Sequence, residues 1–191
     1  MNEKNHILEQ IHDFAARAHQ GQFRKYPHEP YIHHPERVKE ICAHCTKDLS
    51  ILGAPLLHDI LQDTTTTKEQ LTSYLNKLLE PGEKEKMLQL IDEMTDIYTK
   101  DQYPHLNRDK RKALESERIC QTSGDSQTIR YADIIDNCTG LENQDPEFAQ
   151  TFLCECQHLL KVINKGDPQL YIQAELKVNK TLKRLENTKH L

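Results

Sequence analysis

The chain has 191 residues, 36% hydrophobic and 29% charged, with a formal net charge of −5 and a pI near 6.1. That length suits one domain with a full core, and the acidic balance excludes a general nucleic-acid or membrane surface. No stretch approaches the ~18 apolar residues of a membrane span, and the amphipathic start MNEKNHILEQIHDFAARAH has no secretory apolar core. Six cysteines without a leader read as reduced thiols, so a cytoplasmic protein is expected.

With only 6 Gly and little β-branched alternation, helices joined by short turns are expected. Ile7, Leu8, Ile11, Phe14, Ala15 and Ala18 keep i, i+3, i+4 spacing and predict a first amphipathic helix. The segment GQFRKYPHEPYIHHP, with Gly21 and three prolines, reads as a loop. Pro35 then suits the first turn of a helix carrying Val38, Ile41, Cys42 and Cys45.

Ile51 to Leu61 is apolar nearly all round and predicts a buried central helix. Its Pro55 has to lie in a first turn or make a kink. Thr64 to Thr67 form a polar stop and an N-cap for a helix through Leu71, Tyr74, Leu75, Leu78 and Leu79. After Pro81-Gly82, the apolar pattern continues at Met87, Leu90, Ile91 and Met94. Further helices are predicted at 107–121, 126–139, 145–164 and 168–187, the last two opened by Asp145-Pro146 and Asp167-Pro168 as cap and first-turn proline. The fold class is therefore all-α, a single helical bundle of about eight or more helices.

Cys42 and Cys45 flank His44, and Cys154-x-Cys156 offers a second thiol pair. Both pairs fall inside helical patterns, whereas zinc knuckles sit on turns. A different donor set stands out in ILGAPLLHDILQDT, where His58-Asp59 closes the apolar run. An imidazole beside a carboxylate suits a hard or borderline divalent metal. At 100° per residue, His58, Asp59, Gln62 and Asp63 fall within one arc of about 140°. A buried helix that gives one face to polar groups needs partners for them, since unpaired buried charge is costly. A metal meets that need; helix caps or internal salt bridges are the plainer alternative. His33-His34-Pro35 and Asp133, Asp136 and Asn137 of TIRYADIIDN are the other candidate donors.

Taken together, FAARAHQGQFRK, EPYIHHPERV, LLHDILQDT, MTDIY and TIRYADIIDN resemble, in order and spacing, the HD-domain phosphohydrolases. More narrowly, the chain is similar to the small alarmone hydrolases and the hydrolase half of the Rel/Spo enzymes, which degrade (p)ppGpp. The resemblance implies a single HD-domain bundle in which His34, His58, Asp59 and Asp133 bind one Mn²⁺. It implies that Arg24 and Lys25 line the base and phosphate side of the pocket, that Tyr31 packs its wall, and that Asn137 contacts the nucleoside. Arg108, Arg111 and Lys112, with the amide of Asn107 beside them, offer positive charge and a hydrogen bond for the distal phosphates.

The implied reaction is metal-assisted hydrolysis of the 3′-pyrophosphate of a guanosine nucleotide, with a small-molecule nucleotide as the partner and no nucleic acid or membrane. The metal polarises a phosphoryl oxygen and lowers the pKa of a water. One departure falls beside it. The family usually has Glu-Asp after the HD pair, whereas this chain has Gln62-Asp63. Glutamine cannot take a proton near neutral pH, which leaves Asp63 as the general acid/base candidate. The same residues leave open two other readings. One is an HD nucleotidase or phosphatase acting on an adenosine alarmone, a deoxynucleoside monophosphate or NADPH. The other is a nucleotide-binding module with weakened catalysis.

Overall fold

In the computed structural model, residues 3–25, 28–141 and 145–188 are described. They form ten helices: α1 (Glu3–Ala18), α2 (His33–Ala43), α3 (Leu49–Leu57), α4 (Ile60–Asp63), α5 (Lys68–Leu75), α6 (Pro81–Met94), α7 (Arg108–Cys120), α8 (Gly124–Asn137), α9 (Pro146–Leu160) and α10 (Pro168–Thr188). Among the described residues the only β-type pairing is an isolated antiparallel bridge between Phe23 and Pro30, and the all-α expectation holds. No helix is long and apolar enough to cross a membrane among these residues. Of the expected loop at 21–35, residues 26–27 lie outside the described set. The described residues gather into two units, one of residues 3–24 and 28–95, the other of Lys25 with residues 96–141 and 145–188.

The first unit is built around α3, which packs against α1, α2 and α6. Every residue of α3 except Leu52 is buried, so the helix has no solvent face to give up. Gly53 lets α6 approach closely, because a Cβ there would meet the side chain of Met87. Asp48 caps α3 by accepting from the backbone N–H groups of Ser50 and Ile51. Ile11 and Ala15 of α1, Val38 and Cys42 of α2, and Leu71, Leu75, Met87, Leu90 and Ile91 complete this core. Each large aliphatic side chain so buried contributes about 1.5–3 kcal/mol.

The expected helix from Ile51 to Leu61 is interrupted, which corrects the single-arc placement of His58, Asp59, Gln62 and Asp63. Pro55 lies inside α3 rather than in its first turn and has no N–H to donate. The His58 ring, through Nδ1, takes the Pro55 carbonyl at 2.7 Å, the group an unbroken helix offers to residue 59. Asp59 then adopts φ −96°, ψ −3°, the bridge region that active-site residues often occupy, and α4 restarts at Ile60. Two other helices stop early: α2 ends before Cys45, and α5 ends at Leu75 with Leu78 and Leu79 in the following turn. The Thr67 cap holds as a capping box with Gln70.

In the second unit, α10 packs on α8 and α9. Asp145 and Asp167 cap as their proline-led sequences predict, accepting from Phe148 N–H and from Gln169 and Leu170 N–H. Buried Gln127 donates to the carbonyl of Ile119 at 3.3 Å and accepts from Lys165 N–H at 2.8 Å. The hydroxyl of buried Tyr131 donates to the Ile163 carbonyl at 3.1 Å. These bonds satisfy polar groups that would otherwise be costly inside a core.

Candidate metal centre

His34 sits in the first turn of α2, and His58 and Asp59 occupy the break between α3 and α4. Both imidazoles are only 3% exposed. One donor atom from each of the three residues lies within 4.8 Å of the others, close enough to hold a single ion. His58 Nε2 is 2.9 Å and His34 Nε2 is 4.0 Å from Asp59 Oδ2. The two rings meet edge to face, with centroids 5.5 Å apart.

The chemistry of this donor set fits a cation. The Pro55 carbonyl can only accept, so His58 Nδ1 carries the proton in that bond. A neutral His58 therefore points an Nε2 lone pair at a carboxylate oxygen 2.9 Å away, an arrangement that repels unless a proton or a metal lies between them. Fixing one ring nitrogen on a backbone carbonyl is also how metal-binding histidines are oriented. Burial alone would push the Asp59 carboxyl up; when a proton fills that gap, the charge and hydrogen bond of the doubly protonated His58, the charge of His34 and the hydrogen bond of Tyr31 hold it well below the usual carboxylate range.

Tyr31 engages both nearby carboxylates. Its hydroxyl donates to Asp59 Oδ2 at 2.5 Å and lies 3.3 Å from Asp63 Oδ2. Asp63 closes α4, and its pKa is raised by partial burial and by the neighbouring Asp59 charge, against the pull of Tyr31, His19 and His58. Gln62, also on α4, is exposed. Arg24 lies in the loop, where its N–H donates to the Glu29 carbonyl at 2.9 Å.

The remaining expected residues belong to the second unit. Asp133 is buried on α8, accepts from Asn137 Nδ2 at 2.7 Å, and lies 3.6 Å from Arg130. Asn137 thus engages the carboxylate one turn before it. Lys25 pairs with Asp145 at 3.4 Å. Arg108 forms a two-pronged bond to Glu155, at 2.5 and 2.9 Å, and Arg111 donates to the Leu106 carbonyl. Lys112 pairs with Asp96, which also faces Arg130. A cavity of about 780 Å³ lies among α7, α8 and α9, lined in part by Lys112, Arg130, Asp133, Ile134 and Phe152. That volume falls within the range of small-molecule sites.

Reading the sequence did not assign roles to His19, Gln22, Asp96 or Arg130. His19 and Gln22 sit inside the quoted FAARAHQGQFRK segment, but nothing in their spacing marks them.

Residues 12–159 match the family described as the HD domain. The chain is 33% identical to the guanosine-3′,5′-bis(diphosphate) 3′-pyrophosphohydrolase MESH1 of Homo sapiens over 138 residues, covering 71% of this chain and 69% of that protein. It is 45% identical to the guanosine-3′,5′-bis(diphosphate) 3′-pyrophosphohydrolase of Vibrio cholerae over 67 residues, 35% of this chain and 9% of that one. A solved structure described as a metazoan ortholog of SpoT that hydrolyses ppGpp superposes with a TM-score of 0.74 at 24% identity. That match covers 91% of this chain and 94% of the other, and it establishes a shared fold.

Proposed function

The chain belongs to the HD-domain family, and we propose that within it this protein is a cytoplasmic, Mn²⁺-dependent hydrolase that removes the 3′-pyrophosphate of (p)ppGpp-like nucleotides. The observation that carries the proposal is the buried convergence of His34 Nε2, His58 Nε2 and Asp59 Oδ2, in a chain similar over 138 residues to a ppGpp 3′-pyrophosphohydrolase. Asp133 is the fourth ligand in this proposal, on the strength of the TIRYADIIDN pattern alone.

When bound, the ion supplies positive charge that polarises a phosphoryl oxygen and acidifies a water. The protein does the rest. Tyr31 holds Asp59 in place through its 2.5 Å hydrogen bond. Asp63, one turn further on with its pKa raised, takes the proton from the water as its oxygen bonds to phosphorus, and returns a proton to the 3′ oxygen as that P–O bond breaks, giving pyrophosphate and a free 3′-hydroxyl. A carboxylate that holds its proton more tightly is the stronger base, and such assistance is worth about 10²–10⁴-fold. Gln62 keeps an amide carbonyl that can orient the water but cannot accept its proton. Arg24 and Lys25 offset phosphate charge, Asn137 contacts the nucleoside, and Arg108 and Arg111 meet the distal phosphates.

Incubating the protein with ppGpp and Mn²⁺ and identifying the phosphate product tests the reading. Pyrophosphate with a free 3′-hydroxyl nucleotide supports it. Orthophosphate from another nucleotide moves the protein to the HD nucleotidases, and tight binding with no product makes it a binding module.

A further inference from the structure

His19, at the end of the first helical segment, is 3% exposed and belongs to none of the roles above. Its Nδ1 lies 2.7 Å from Gln22 Oε1. The same amide donates through Nε2 to the backbone carbonyl of Asp63 at 2.6 Å. These contacts fix the chemistry of all three groups. A carbonyl oxygen only accepts, so the Gln22 nitrogen must face Asp63 and its oxygen must face His19. His19 is therefore protonated on Nδ1.

The other face of the ring reaches the same place. It stacks on Tyr31, with centroids 4.6 Å apart and planes inclined by 24°, and the Tyr31 hydroxyl lies against Asp59 and Asp63. The loop between is tied at both ends, since Gln22 N–H donates to the His19 carbonyl and Tyr31 N–H to the Gln22 carbonyl, each at 3.0 Å. His19 Nε2 is buried and has no hydrogen-bond partner among the described residues. The polar chemistry of this imidazole is thus spent on Gln22.

We propose that His19 is a positioning residue which, through the Gln22 amide, fixes the backbone of Asp63 and so aims its carboxylate at the reacting water. This rests on the hydrolase reading of the site. His19 is not among the converging donors; it acts through Gln22. An apolar core residue of the same shape would fill the space equally well, so the role resides in the Nδ1 proton.

The test separates the proton from the ring. His19→Phe keeps the stack on Tyr31 and removes the donor, whereas His19→Asn places an amide N–H near Nδ1. With ppGpp and Mn²⁺, His19→Phe and Gln22→Leu are expected to lower kcat about 10- to 100-fold at unchanged KM and bound Mn²⁺, and His19→Asn to recover most of that loss. A His19→Phe variant with wild-type kcat overturns the proposal, as does a loss that follows metal content or that Asn leaves unrepaired. A second readout needs no turnover. The imidazole ¹⁵N spectrum of the wild type is expected to show His19 protonated at Nδ1, with signals that move in Gln22→Leu. A ring protonated at Nε2 alone overturns the relay. Should the wild type hydrolyse no nucleotide, the hydrolase reading fails by itself, and the spectrum still decides whether the relay exists.

Discussion

Tyr31 donates its hydroxyl to Asp59 at 2.5 Å while standing 3.3 Å from Asp63, so one phenol connects a candidate metal ligand to the candidate base. Two carboxylates this close raise each other's pKa unless something positive or protic stands between them. The outcome is asymmetric: Asp59 is held low by the imidazoles and Tyr31, and Asp63 is pushed up. Divergent environments of this kind are how two carboxylates come to hold different roles.

Replacing Tyr31 with Phe removes the donor and keeps the ring stacked on His19. Steady-state kinetics with ppGpp and Mn²⁺ are expected to show kcat reduced about 10-fold or more, with thermal stability close to wild type. Unchanged kinetics would mean the hydroxyl is incidental.

His58→Ala and Asp59→Ala each delete one of the three converging donors. Equilibrium dialysis against Mn²⁺ is expected to show loss of bound metal in both, together with loss of hydrolysis. Retention of wild-type metal content in the two variants refutes the ligand set.

Gln62→Glu installs the carboxylate that the family resemblance implies at this point. It is expected to raise kcat, by up to about 10²-fold if a missing base limits the rate. Should wild type and variant both prove inert toward ppGpp, the alarmone assignment falls.

The pH dependence of stability is expected to carry a contribution from Asp48. Burial pushes its carboxyl up, but hydrogen bonds from Lys86 and from the Ile51 and Ser50 N–H groups outweigh this and hold the pKa below 3.8. A folded value below the unfolded one means the stabilisation is present above pH 3.8 and is lost as pH falls through the lower, folded value. Asp48→Ala should cost about 0.5–2 kcal/mol at neutral pH from the lost cap. Urea titrations of that variant and wild type at several pH values should converge in the acid range; a constant gap sinks this account.

Gly166 leaves no room for a methyl group. A Cβ there would lie 2.6 Å from Tyr131 Cε2, 2.7 Å from Thr128 N and 2.9 Å from Gln127 C, and two of those atoms are helix backbone that cannot swing aside. Gly166→Ala is expected to cost about 1–3 kcal/mol in urea denaturation, with kcat per folded molecule unaffected.

What the sequence determined by itself was local. The Thr67–Gln70 capping box and the Asp145-Pro146 and Asp167-Pro168 starts join residues two to three positions apart. Helical periodicity likewise spans only three or four residues, which is why the all-α class was legible, and the order of motifs around His58-Asp59 pointed to the family. The tertiary structure decided the rest. Whether α3 ran on through His58 depended on where the imidazole sent its Nδ1 proton. The two-pronged bond of Arg108 to Glu155, 47 positions away, likewise exists only through packing. The bonds from Tyr31 to Asp59 and from Gln22 to Asp63 span 28 and 41 positions. Such bonds form only once apolar burial has brought α1, α2 and α3 together, and no local pattern encodes them.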